Sequence, residues 1–264
     1  MNFCQNLGVV PDRTADPRKA LQLLRREGAV ILIDIESGEE ASRQVGFDVF
    51  GDLVLEIPPA ARVLAGGEKD RMPEGLTFET RSHAHTDGFS YGDGYPDHFV
   101  LKCERHSEVG GESFLIDGYA LLDALTKDPD TQWVGEGLRT IEVDQTEPGK
   151  RTSISPVVQS GPTGRTMVRR LPDQQPNAES EDPERDRQML DIWEAAINAA
   201  EELVPRFKLF EGEAVIIDNY RLFHGREGYK DLNRMMWRVW IWTKEAKQVP
   251  EGYLHSDSRH ADAI

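Results

Sequence analysis

The sequence predicts a mainly β domain with flanking helices, and three observations carry that prediction. Short runs of β-branched and apolar residues, separated by glycine, follow one another over 78–243. Helical spacing of apolar residues is confined to one stretch near the start and one near position 200. No internal repeat or linker divides the 264 residues, of which 38% are apolar, enough for one substantial core. Sandwiches and barrels of this length are commonly single domains, so one domain over 1–264 is expected.

Taken in order, 16–27 reads as a helix with Asp16 as cap, Pro17 in its first turn, Leu21, Leu23 and Leu24 as apolar contacts, and Gly28 as its end. The run 29–33 (AVILI) is too short and too β-branched for a helix and reads as a buried strand. Residues 57–76 read as loop. Strands follow at 78–85, 98–103 and 113–116, and 153–158 with 166–170 reads as a hairpin joined through Gly161-Pro162-Thr163-Gly164. The interval 171–187 is rich in proline and charge without apolar periodicity, which predicts a mobile loop, a helix lead-in or a lid. Met189, Ile192, Trp193, Ala196, Ile197, Ala200 and Leu203 then recur at helical spacing. The last strong strands are 214–217 and 235–243, and the polar tail after Gln248 reads as poorly ordered.

A net charge of −16 argues against nucleic acid or an anionic membrane surface as partner, because both require clustered positive charge. A small molecule fits better, and the sequence is compatible with a homo-oligomer. Cys4 and Cys103 are too few for a disulfide framework, which points to a reducing compartment, with the cytoplasm as default. No apolar run approaches the roughly 20 residues of a membrane helix, and the opening Met1-Asn2-Phe3-Cys4-Gln5 lacks the regions of a signal peptide.

The stretch carrying chemistry is Arg81-Ser82-His83-Ala84-His85-Thr86-Asp87-Gly88. Side chains alternate along a strand, so Arg81, His83, His85 and Asp87 are expected on one face. His85 and Asp87 can share a metal ion if a second histidine joins them, and His224, beyond the apolar strand 214–217, is the best donor. Two histidines and a carboxylate form the facial triad that leaves positions open on iron(II) for a 2-oxo acid and dioxygen. The far carboxylate of such an acid needs a fixed cation. Arg238 on the last strand suits that role through its planar fork; Arg234, its same-face neighbour, is the alternative anchor or a substrate contact.

With these residues the sequence resembles the taurine-dioxygenase-like (TauD/TfdA) family of iron(II)/2-oxoglutarate oxygenases over about 78–243. His85-Thr86-Asp87 is similar to the family's His-X-Asp. Gly110-Gly111-Glu112-Ser113 resembles its Gly-Gly-Asp-Thr, and Asp218-Asn219-Tyr220-Arg221-Leu222-Phe223-His224-Gly225 its distal histidine segment. Ser155-Pro156-Val157-Val158 with Thr163-Gly164-Arg165 resembles its hairpin. The resemblance implies a double-stranded β-helix (jelly roll), iron(II) on His85, Asp87 and His224, 2-oxoglutarate and dioxygen as co-substrates, and a 2-oxoglutarate contact at Ser113. It matches Arg238, fourteen residues after His224, to the family's 2-oxoglutarate arginine. Asp87 stands where halogenating relatives have glycine, which favours hydroxylation over halogenation and leaves desaturation, ring closure and oxidative cleavage open.

For substrate, an amino acid or a derived metabolite is expected. Arg81 would grip a carboxylate, Asp93 or Asp117 would receive an ammonium group, and Phe89 and Tyr91 in the glycine-rich loop 88–95 would shape the pocket with His83. The other tryptophans, Trp240 among them, read as core. Two rivals stay open: a cupin-like metal enzyme using His83, His85 and His224, and a non-catalytic β-sandwich that senses a metabolite.

Overall fold

The computed structural model describes residues 6–64, 78–146, 150–172, 174–257 and 260; Cys4 and the portion 65–76 of the expected loop lie outside them. In chain order the elements are β1 (Asp12–Thr14), α1 (Pro17–Glu27), β2 (Ala29–Leu32), α2 (Glu39–Phe50), β3 (Val54–Glu56), β4 (Ala61–Leu64), β5 (Ser82–His85), β6 (His98–Arg105), β7 (Ser113–Asp117), α3 (Gly118–Lys127), α4 (Gln132–Gly137), β8 (Val143–Asp144), β9 (Ile154–Ser155), β10 (Val158–Ser160), β11 (Thr166–Val168), β12 (Gln175–Pro176), α5 (Pro183–Leu203), β13 (Ala214–Asp218), β14 (Leu222–Arg226) and β15 (Met235–Thr243). A larger sheet runs β1-β2-β13-β6-β15-β3, with β4 also on β15, and a smaller one runs β5-β14-β7.

The strand sequences explain the layering. On β2 and β13, Ile31, Val215 and Ile217 face inward and pack with Leu115 and Leu222 of the small sheet. Their neighbours Val30, Leu32, Ala214 and Ile216 face the other way, onto Leu23 and Leu24 of α1 and Val45 and Val49 of α2. Strands covered on both faces read as unbroken apolar runs, as AVIL and AVII do. The outer face of the small sheet, with Phe114, Ile116 and Phe223, packs against Trp193, Ala196 and Ile197 of α5. The site described below therefore lies inside a stack of helix, sheet, sheet and helix.

Local chemistry sets the ends of α1 as expected. The Asp16 carboxylate accepts from Arg18 N at 2.9 Å, and Gly28 takes a left-handed φ of +84°, where any Cβ would press on Leu222.

Elsewhere the structure corrects the expectations. Part of the presumed loop at 57–76 is strand β4, paired with β15. The first strand of the motif region begins only at Ser82. The hairpin survives as β10–β11, whereas β9 pairs with β8; Pro156 between β9 and β10 has no N–H to continue the ladder. Helices α2, α3 and α4 add to the two stretches of helical spacing expected from the sequence. The capping residue for α3 is Asp117, which accepts from Tyr119 N and Ala120 N. Of the readings open for 171–187, the helix lead-in fits the described residues: Gln174 and Asn177 are buried, β12 pairs with β8, and Asp182 caps α5. Leu203 ends the helical stripe on the surface, 60% exposed. The tail as far as residue 257 is also packed, with Leu254, Ser256 and Asp257 buried.

The three strands of the small sheet pack closely at Gly225, next to His224. An added Cβ there would lie 2.2 Å from the Phe114 ring and 2.7 Å from the Ser82 carbonyl oxygen. Gly225→Ala should destabilise the fold by about 1–3 kcal/mol through overpacking, read as a lower urea midpoint at unchanged slope. An unchanged midpoint would show that this approach is looser than described.

Candidate metal and co-substrate site

His85 and His224 are register partners across β5 and β14, with ring centroids 4.2 Å apart. Asp87 follows β5 and is pinned from the opposite direction by Asn219: Asp87 N–H donates to Asn219 Oδ1 at 2.9 Å, and Asn219 Nδ2 donates to the carbonyls of Asp87 (3.0 Å) and Pro96 (2.8 Å). One donor atom from each of His85, Asp87 and His224 lies within 4.8 Å of the others, and no other such group of three occurs among the described residues. Asp87 Oδ1 is 3.6 Å from His85 Nε2 and 3.8 Å from His224 Nε2.

The protonation states suit metal ligation. His85 Nδ1 lies 2.8 Å from the His83 carbonyl, which can only accept, so that nitrogen carries the proton and Nε2 the lone pair. Burial, with His85 beside it, pushes the His224 imidazole down to about 3, leaving it neutral at physiological pH, and its Nδ1 is buried with no hydrogen-bond partner among the described residues. Burial works to raise the Asp87 carboxyl, but Arg238, the His85 hydrogen bond and His224 outweigh it and hold the group below the usual carboxylate range. Two imidazoles and one ionised carboxylate, closely convergent, fit a divalent iron ion.

Next to this triad a cavity of about 180 Å³ opens between the sheets. Ser113, Arg226, Arg234 and Arg238 supply its polar walls, and Leu101, Leu115, Val215, Ile217 and Met236 its apolar ones. The arginines differ in their engagements. Arg238 Nη1 is 3.4 Å from Asp87 Oδ2, and its Nε donates to the Ser256 carbonyl at 2.9 Å. Arg226 donates to the carbonyls of Phe78, Thr80 and Glu227. Arg234 is 6% exposed and lies over the Tyr229 ring at 4.6 Å; among the described residues its head forms no ion pair.

The expected single face of Arg81, His83, His85 and Asp87 does not form. His85 is opposite His224 while Ser82 is opposite Arg226, so three residue steps on β5 face two on β14. This bulge breaks the alternation. Ser82 and His85 both line the cavity, whereas Arg81 pairs with Glu202, Glu201 and Glu227, and His83 Nδ1 with Glu201 at 2.9 Å. Neither lines the cavity, and the three-histidine alternative loses its first member.

The other expected substrate contacts are engaged as well. Asp93 pairs with Lys247 at 2.8 Å, and Asp117 caps α3 and pairs with Arg221 at 2.6 Å. Phe89 lies under the Arg169 guanidinium, and the Tyr91 hydroxyl bonds to His255, so both are buried supports of the loop. Sequence reasoning missed Asn219 as a support, although it stood inside the quoted motif, and it missed Trp240, whose indole N–H reaches Asp87.

With the geometry in place, comparison with known proteins identifies the class. The chain belongs to the Taurine catabolism dioxygenase TauD, TfdA family, whose model matches residues 8–240. It is therefore an iron(II)- and 2-oxoglutarate-dependent oxygenase with the family's jelly-roll fold. Solved structures share that fold at low identity. PvcB from Pseudomonas aeruginosa is 18% identical, with 89% of this chain and 82% of that chain covered and a TM-score of 0.63. An asparagine oxygenase in complex with Fe(II), 2S,3S-3-hydroxyasparagine and succinate is 17% identical, with 87% and 80% covered and a TM-score of 0.63. A mutant of the non-haem iron oxygenase OrfP in complex with (3S)-hydroxy-L-arginine is 12% identical, with 87% and 84% covered and a TM-score of 0.61. No helix among the described residues is long and apolar enough to cross a membrane.

Asn219 satisfies one donor and two acceptors that would otherwise be stranded. Asn219→Ala should lower unfolding free energy by about 2–4 kcal/mol and weaken metal binding, because the backbone carrying Asp87 loses its tether. Calorimetry of the metal-free protein and titration with Mn(II) read the two effects; normal values for both would remove Asn219 from the site.

Proposed function

We propose that this oxygenase hydroxylates a small polar metabolite of the amino-acid type, with iron(II) held by His85, Asp87 and His224. The observation that carries the reading is the convergence of those donors at the edge of an arginine-lined cavity. The asparagine and arginine products in related folds support the substrate class. We further propose a cytoplasmic enzyme in one domain, without nucleic-acid or membrane partner; the acidic balance supports this.

When bound, iron(II) supplies the redox chemistry: dioxygen is reduced as 2-oxoglutarate loses carbon dioxide to become succinate and a substrate C–H bond becomes C–OH. The chain supplies position and exclusion of water. His85 and His224 would each present Nε2, and Asp87 would present Oδ1. Because a carboxylate stands at 87, the ligand set is full on the protein side, which supports hydroxylation over halogenation.

The far carboxylate of 2-oxoglutarate needs a cation not already serving the metal ligands. Arg234, buried on the cavity wall with its head free of ion pairs among the described residues, fits that need, and Ser113 on the same wall adds a hydroxyl. Arg238, which the sequence placed first for this role, is drawn to Asp87 and Ser256. It suits the near end of the co-substrate or an anionic group of the substrate. Leu115, Val215, Ile217 and Met236 close the cavity to water.

Anaerobically iron-loaded protein, given 2-oxoglutarate and a panel of amino acids and then air, should form succinate and a hydroxylated product. Succinate no greater than in an Asp87→Ala control would reject the reading. Arg234→Met should raise KM for 2-oxoglutarate about 100-fold, near 3 kcal/mol for a lost charge-assisted pair. The reverse pattern, with Arg238→Met raising KM and Arg234→Met neutral, would exchange the roles of the two arginines.

A further inference from the structure

Trp240 behaves for the most part as a core residue: it is 1% exposed and meets Tyr91 and Trp242 edge-on, at 5.7 and 6.5 Å between centroids. Its indole N–H does something else. Nε1 donates to Asp87 Oδ2 at 2.8 Å, and Arg238 Nη1 approaches the same oxygen at 3.4 Å. The two carboxylate oxygens are thereby sorted, with Oδ2 tied from behind and Oδ1 turned toward His85 and His224. A ligand carboxylate held in this way cannot rotate freely, and loss of such a partner typically costs metal affinity. Burial alone does not generate the bond, because the indole N–H of Trp193, on α5, is buried with no partner among the described residues.

Both residues that hold Oδ2 are themselves held by Ser256. Its Oγ accepts from the Trp240 backbone N–H at 2.9 Å, its carbonyl accepts from Arg238 Nε at 2.9 Å, and its own N–H donates to the Pro59 carbonyl at 3.1 Å. Ser256 is 0% exposed. Beside it, His255 N–H donates to the Tyr91 hydroxyl at 2.9 Å, and that hydroxyl donates to the His255 carbonyl at 3.1 Å. The segment 254–257, polar enough to read as a loose tail, is thus bonded to Trp240, Arg238 and Tyr91 together.

We propose that Trp240 is a positioning residue for Asp87, and that the C-terminal segment centred on Ser256 is a working part of the metal site, because it holds Trp240 and Arg238 against Oδ2. This rests on the assignment of His85, Asp87 and His224 as metal ligands. Metal affinity and unfolding of the metal-free protein, measured separately, distinguish positioning from packing.

Mn(II) serves as a redox-silent probe, with free ion followed by paramagnetic resonance in wild type, Trp240→Phe, Ser256→Ala and Asp87→Ala. Trp240→Phe retains a buried ring but lacks the donor, and should weaken Mn(II) binding about 10- to 100-fold; Ser256→Ala should weaken it less, in the same direction. Wild-type Mn(II) affinity in both variants, with only the unfolding midpoint lowered, would overturn the proposal and leave Trp240 as packing. If Trp240→Phe does not fold, the Ser256→Ala affinity decides alone. Should wild type bind Mn(II) no better than Asp87→Ala, the ligand assignment itself fails, and this inference with it.

Discussion

The site depends on one cross-strand pairing, His85 opposite His224 on neighbouring strands of the small sheet. Antiparallel register brings residues 139 positions apart in sequence into side-chain contact, and the remaining features of the site serve to keep the third ligand beside them. The pairing is itself buttressed from both sides. Phe99 of the larger sheet lies 4.5 Å from the His224 ring, and Glu201 of α5 accepts from Ala84 N–H in the strand that carries His85. A metal site assembled from strand positions acquires the rigidity of the sheet, which suits chemistry that tolerates little misplacement.

Electrostatics within the cavity follow from burial. Asp87 is the acid at the metal position, and its two oxygens are divided between the imidazole side and the Trp240 and Arg238 side. Arg226 and Arg234 both lie over the Tyr229 ring, at 4.8 and 4.6 Å, and neither shares a carboxylate among the described residues, so the cavity presents positive charge to whatever enters. In a low-dielectric space that favours an anionic guest over water. An acidic protein overall thus contains a locally cationic interior.

Much of this was legible in the sequence where the signal was local. The apolar runs of β2, β13 and β15, the Asp16 cap and Gly28 stop of α1, and the stripe of α5 follow from short-range rules, and the motif around His85 and Asp87 points to its own chemistry. What stayed hidden depended on partners far along the chain. Arg81 and His83 were read by alternation, yet the bulge on β5 and acids more than 100 residues away took both from the cavity. Trp240 looked like core because nothing in its surroundings in sequence announces an acceptor 153 positions earlier. Composition misjudged the segment 254–257 for a related reason, since backbone atoms, which composition cannot report, form most of its attachments.

Strand β15 illustrates what such a construction permits. Met236 and Arg238 face the cavity, Trp240 reaches Asp87, and Trp237, Val239 and Ile241 face the helical layer of α1 and α2. An insertion or deletion of one residue inside this strand would turn the guanidinium and the indole outward into a greasy seam and bring Val239 into the oxidising chamber. The barrel wall is therefore closed to gradual remodelling by length change. Diversification of what the enzyme accepts has to arise at the rim, in the connections that no ladder constrains.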